Sequence, residues 1–476
     1  MVFSTIIFLF RFLPITLALY YLAPAKLKNT VLFLCSLVFY CWGEVRFFPV
    51  MVALILINYI SGLCIEHFDQ KPALRRAFLL VALIGSLGML FYFKYANFVL
   101  RSANALLGTA FAEIQGIGTL PLGISFYTFQ TLSYSIDVYR RDVKAERNII
   151  DFGAYVVMFP QLIAGPIVKY RDVSNQLHVY RHRYSLQQIE EGMTLFTFGL
   201  AKKVLLADAI GALWTDIIGV ADSPSTTFVG LANASTPLVW LGIIAYSLQL
   251  YFDFSGYSLM AMGLGQMLAL PVPRNFDLPY TARSVSEFYR RWHITLGTWF
   301  RDYVYIPLGG SRNGNARTVL SLTVVWFFTG LWHGASWNFV LWGVMLLGFI
   351  LLEKFCIGDF LKEHKVLSHV YLLFVIPQTW VIFRITRLKD VGAYFSRLFP
   401  FFGTHSAVSA QDALKLLSSY WWLLLLAVFF CLPQPRRFYE KHRGSLLVQL
   451  PLFLLFWVCV YFIATSSGNA FLYSRF

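Results

Sequence analysis

Two histidines sit in company that could support proton transfer. His333 occupies Gly330-Leu331-Trp332-His333-Gly334 between two apolar blocks, and His293 closes the run Glu287-Phe288-Tyr289-Arg290-Arg291-Trp292-His293. An imidazole titrates near pH 6.5 and burial favours its neutral form, so either ring has the chemistry of a general base. Asp253 stands in the apolar stretch 249–257, where an ionised carboxylate needs a counter-charge or a histidine to orient; the arginines near 290 are the expected counter-ions. Bland readings stand beside these, since a lone buried histidine is usually a structural hydrogen bonder and a buried aspartate usually half of an ion pair. Tyr257, Arg291, Trp332 and Asn338 complete the supporting set, Asn338 as a weak candidate for oxyanion donor. No metal is expected, because two histidines without a carboxylate or cysteine cluster make a poor ligand set. Segment 301–312 offers glycines and cations that suit an anion but lacks a Walker pattern, and Lys202, Lys203, Arg283, Arg290, Arg291, Arg301 and Arg312 could attract an anionic nucleotide.

The elements that must carry these side chains are membrane spans. Of 476 residues, 58% are hydrophobic and 13% charged, against about 45–50% and about 25% in soluble domains. That composition argues against a cytosolic globular enzyme. The net charge of +15 falls in short basic loops, as cytoplasmic loops require, and no nucleic-acid motif accompanies it. The six cysteines form no CxxC pair and read as inert thiols. Lys26 and Lys28 follow the first apolar block, which therefore reads as an uncleaved span with its N-terminus outside.

Threading basic loops to the cytoplasm gives an all-α polytopic protein of roughly twelve spans, plus re-entrant and interfacial helices. Both termini then lie outside the cytoplasm. Block 152–168 is short, and Pro160, Gly165 and Pro166 interrupt it, which predicts a re-entrant hairpin lining a cavity, with a kinked ordinary span as the alternative. No linker or repeat divides the chain, so 1–476 is expected to form one integral-membrane domain with a core at 120–340 and an extracytoplasmic tail at 466–476.

Five blocks are specific enough to carry a resemblance: PLGISFYTFQTLSYSIDVYR at 121–140, FPQLIAGPIVKYRD at 159–172, YFDFSGYSLMAMGLG at 251–265, EFYRRWHITLGTWFRDYVYIPLGGSR at 287–312 and GLWHG at 330–334. On these the chain resembles the membrane-bound O-acyltransferase superfamily, in its bacterial branch of alginate, peptidoglycan and D-alanyl-lipoteichoic acid transferases. The resemblance implies helices around a narrow passage in a bacterial inner membrane, with His333 the catalytic residue and His293 a second residue near the passage. It also implies acetyl-CoA as the cytoplasmic donor, with no covalently bound cofactor, and an extracytoplasmic SGNH-type acetyltransferase partner that delivers acetyl to a polysaccharide. The ending Phe471-Leu472-Tyr473-Ser474-Arg475-Phe476 looks like the branch's FxYxxF tail, in which Tyr473 would receive the acyl group. Tyr473 lies eight positions beyond Thr465, a reach of at most about 26–29 Å against roughly 15 Å for half a hydrocarbon core. Competing readings are transfer of D-alanyl or another acyl group, a transporter or flippase with a histidine proton relay, and a scaffold that recruits an outside enzyme.

Overall fold

The computed structural model describes residues 1–116, 120–178, 185–218, 234–402, 410–465 and 472. Among them the architecture is all-α: helices follow one another throughout, and the extended pairing is a single antiparallel bridge between Phe276 and Trp292. Seven described helices are long and apolar enough to cross a membrane: Phe48–His67, Pro72–Leu107, Thr236–Met267, Trp337–Glu363, Lys365–Arg384, Gln411–Phe430 and Leu446–Thr465. Other expected spans are helical without meeting that standard, and Ile124–Arg140 shows why. It buries Ser125, Thr128, Gln130, Thr131, Ser133, Ser135 and Asp137, and a helix wrapped by protein rather than lipid has no need of a uniformly apolar surface.

The chain divides into two compact units, one built on Met1–Phe198 with Tyr257–Arg274, the other on Gly199–Gly256 with Asn275–Leu472. In the first unit, buried side-chain hydrogen bonds tie helices together: Ser135 Oγ donates to Asn58 Oδ1 at 2.8 Å, and Asn58 Nδ2 to Ser86 Oγ at 2.8 Å. The interruption expected at 152–168 is present. Helix Ile149–Val157 ends at Met158, a single turn Phe159–Leu162 follows, and the backbone stays irregular up to Tyr170, buried almost throughout. Buried irregular backbone needs partners, and the side chains supply them. Tyr155 Oη donates to the Val168 carbonyl at 2.9 Å, Gln161 Nε2 to the Tyr155 carbonyl at 2.6 Å, and Ser36 Oγ accepts the Phe159 N–H at 3.1 Å.

In the second unit, Gly314–His333 and Trp337–Leu352 form a helical hairpin whose turn directly follows His333. The two helices approach backbone to backbone: a Cβ on Gly330 would overlap the Phe339 carbonyl, and one on Gly343 the Trp326 carbonyl. Helix Lys365–Arg384 packs beside Trp337–Leu352. Asn338 joins their ends, its Nδ2 donating to the carbonyls of Ile382 at 3.0 Å and Phe383 at 3.2 Å. Both amide protons are thus engaged by the last turn of a helix, whose terminal carbonyls otherwise lack donors. Asn338, expected as an oxyanion donor, is thus placed at a helix end with its amide protons on these two carbonyls.

Candidate active site

His333 is the last residue of its helix and 5% exposed. Three rings stand edge-on around it: Trp332 and Trp342 with centroids at 5.0 Å, and Phe383 at 5.2 Å. Trp342 lies one turn beyond Asn338, on the same helical face. Phe383 is the residue whose carbonyl Asn338 caps. The hairpin thus fixes the imidazole, and the Asn338 contact fixes one of its walls. Among the described residues the indole Nε1 of Trp342 is buried with no acceptor.

His293 is held differently. It links helices Val285–Arg291 and Ile294–Phe300 in a left-handed conformation, φ 48° and ψ 52°. Such a backbone is costly for a residue with a side chain and persists when its surroundings over-determine it. Asn275 provides that determination: its carbonyl accepts the Ile294 N–H at 3.0 Å, and its Oδ1 accepts the Thr295 N–H at 3.1 Å and the Thr295 hydroxyl at 3.0 Å. Nδ1 of His293 lies 3.2 Å from the same Oδ1. Because the Thr295 N–H can only donate, this atom is the amide oxygen, so Nδ1 carries the proton and the ring's lone pair lies on Nε2. Burial pushes the imidazole down to about 3, so it is neutral at ordinary pH.

The helix before His293 is anchored at its N-terminus. Ser284 Oγ accepts the Glu287 N–H at 3.0 Å, and the Glu353 carboxylate accepts the N–H and the hydroxyl of Ser286 at 2.9 and 2.6 Å. Arg291 is spent on the same frame, donating to Glu287 Oε1 at 2.6 Å and Thr281 Oγ1 at 3.1 Å.

Trp332 joins the two histidines. Its ring lies 5.6 Å from that of His293 and 5.0 Å from that of His333, edge-on to both. Phe254 closes the other side of His293 at 4.9 Å. Asp253, its neighbour in sequence, pairs with Lys203, Nζ to Oδ1 at 2.9 Å, and this replaces the arginine counter-ion expected from the sequence. Lys203 thus stands in an ion pair, and Lys202 lies over the rings of Tyr251 and Phe252 at 5.3 and 5.9 Å. Tyr257 belongs to the first unit, where it stacks on Phe3 at 4.8 Å. Tyr473 lies outside the described residues.

Sequence reasoning missed Asn275, Trp342, Phe383 and Glu353, and it named Lys203 without its pairing to Asp253. Only Trp342 carried a usable signal, its four-residue spacing from Asn338.

Residues 140–363, which contain both histidines, match the membrane-bound O-acyltransferase family. The protein named probable alginate O-acetylase AlgI of Azotobacter vinelandii is 41% identical over 406 residues, spanning 84% of this chain and 78% of its own. The chain belongs to the membrane-bound O-acyltransferase family. The peptidoglycan O-acetyltransferase of Helicobacter pylori is 30% identical over 532 residues, spanning 100% of this chain and 98% of its own. The teichoic acid D-alanyltransferase of Streptococcus thermophilus is 27% identical over 228 residues, spanning 46% and 53%. As a member of this family the protein is a multi-pass membrane acyltransferase. His293, His333, Asp253, Trp332 and Asn338 all fall inside the matched interval.

Proposed function

We propose that this membrane-bound O-acyltransferase is an O-acetyltransferase of the bacterial inner membrane that takes acetyl from cytoplasmic acetyl-CoA and relays it outward, through an SGNH-type partner, to hydroxyls of an extracytoplasmic polysaccharide. The placement of His333 carries the reading: a buried imidazole at a helix end, walled by rings and held by a glycine-packed hairpin, within the family interval. The names of the relatives supply the substrate class, alginate or peptidoglycan.

In the first transfer the hydroxyl of Tyr473 attacks the thioester carbonyl carbon while His333 takes its proton. The C–S bond then breaks, and the imidazolium returns that proton to the departing thiolate. A tyrosine hydroxyl loses its proton only near pH 10 in water, so a positioned base is useful to it. With the amide protons of Asn338 engaged, the buried Trp342 N–H is the donor we assign to the oxyanion. A second transfer hands acetyl to the partner and regenerates the tyrosine. Both termini lie on the extracytoplasmic side in this scheme.

The test is turnover. Vesicles holding the full chain with its partner and polysaccharide should consume acetyl-CoA and acetylate the polymer, and His333→Ala should lower the rate by about 10²–10⁴-fold, the usual share of a general base. Full polymer acetylation in His333→Ala would sink the reading and leave the chain a scaffold.

A further inference from the structure

Lys203 and Asp253 are 2% and 1% exposed, and Lys203 Nζ reaches Oδ1 of Asp253 at 2.9 Å and Oδ1 of Asp208 at 2.6 Å. Asp208 is 27% exposed and Asp253 is enclosed, and a buried carboxylate is tolerated where donors satisfy it. One such donor comes from far along the chain. The backbone N–H of Leu472 lies 2.9 Å from Oδ2 of Asp253, across 219 positions of sequence. The carboxylate thus divides its work, Oδ1 toward the lysine and Oδ2 toward the C-terminal segment.

The helix that precedes this segment is poorly suited to fixing it. Leu446–Thr465 is buried over only 11% of its most apolar stretch, and where it does pack it meets Lys202–Ala207, the turn that carries Lys203. Leu472 lies seven positions beyond Thr465, a reach of at most about 23–25 Å.

We propose that Asp253 is a positioning residue that latches the C-terminal segment through the Leu472 backbone, with Lys203 and Asp208 keeping the carboxylate aimed. The proposal deepens the function above, because Tyr473, the acceptor in that scheme, adjoins Leu472. A main-chain latch has a distinctive chemistry: it is indifferent to the side chain at 472 but needs the N–H. Leu472→Ala keeps the latch, and Leu472→Pro, which has no N–H to give, breaks it.

The experiment uses the full chain in vesicles carrying Ser474→Cys, modified by a membrane-impermeant maleimide and followed by mass spectrometry of the C-terminal peptide, so that native cysteines do not confuse the count. Labelling should rise about tenfold or more in Leu472→Pro and Asp253→Asn, the weight of a hydrogen bond to a charged acceptor, and stay at the parent rate in Leu472→Ala. Asp253→Asn with Ser474 intact should also lower kcat with little change in KM for acetyl-CoA, since the donor side is untouched. Leu472→Pro alters only the tail, so it stays informative if Asp253→Asn fails to fold. Equal labelling of Leu472→Pro and Leu472→Ala would overturn the latch. The labelling readout needs no acetyl transfer, so an inactive parent with latch-dependent labelling would refute the function and leave the latch standing.

Discussion

His293 gives its Nδ1 proton to Oδ1 of Asn275 across 3.2 Å, and that bond decides which edge of the ring is basic. The same oxygen accepts from Thr295, so one buried amide sets backbone, tautomer and ring orientation together. Asn275→Asp keeps the shape and adds a negative charge beside the imidazole, which favours the protonated ring. Its pKa should rise from about 3. Nitrogen chemical shifts of labelled histidine, followed against pH in detergent, check this; an unmoved titration would mean that Asn275 does not face the ring.

The depressed His293 value has a consequence for stability. The folded ring binds its proton only near about 3, while the unfolded chain binds it near 6.5. As pH falls, the unfolded state therefore takes up the proton first, and stability falls with it. The contribution of His293 is complete above about 6.5 and drains away between there and about 3. Unfolding midpoints in detergent, measured over this window, should fall more gently in His293→Gln by up to one proton's worth of slope. An identical slope in parent and variant would contradict the burial.

Asn338→Ala leaves the Ile382 and Phe383 carbonyls without their donor, at a cost of about 1–3 kcal/mol for the buried groups. The loss should appear as a lower unfolding temperature together with a lower kcat, because Phe383 walls His333. An oxyanion role would instead lower kcat and leave the unfolding temperature alone.

Trp342→Phe keeps an aromatic wall against His333 and removes the N–H. If the indole meets the oxyanion, kcat should fall by about 10²–10³-fold, as loss of one such donor does, with acetyl-CoA KM and the unfolding temperature little changed. Parent-like kcat would remove Trp342 from the chemistry.

The division between what could be read from the sequence and what could not follows the physics of packing. Membrane character and the all-α class were legible because lipid imposes a composition, and the break at 152–168 because proline and glycine act locally on the backbone. The number of spans was less so: Ile124–Arg140 is helical but buries seven polar residues, and hydropathy registers contact with lipid rather than with protein. Motif blocks pointed to His293 and His333, yet their common neighbour in space, Trp332, is defined by a hairpin that closes on Gly330 and Gly343. Partner choice was illegible. Asp253 was expected to meet an arginine near 290 and meets Lys203, because a π-helical turn at Lys202–Ala207 presents that lysine to it. Asn338 looked like a donor for chemistry when read alone; the end of Lys365–Arg384, which takes both its protons, is distant in sequence.

The most direct measurement of the central claim is mass spectrometry of the full chain after incubation in vesicles with labelled acetyl-CoA on the cytoplasmic side, with His333→Ala and Tyr473→Phe in parallel. The account predicts label on Tyr473 in the parent and none in either variant. Label on Tyr473 in His333→Ala at the parent rate, or polymer acetylation by Tyr473→Phe at the parent rate, would contradict it.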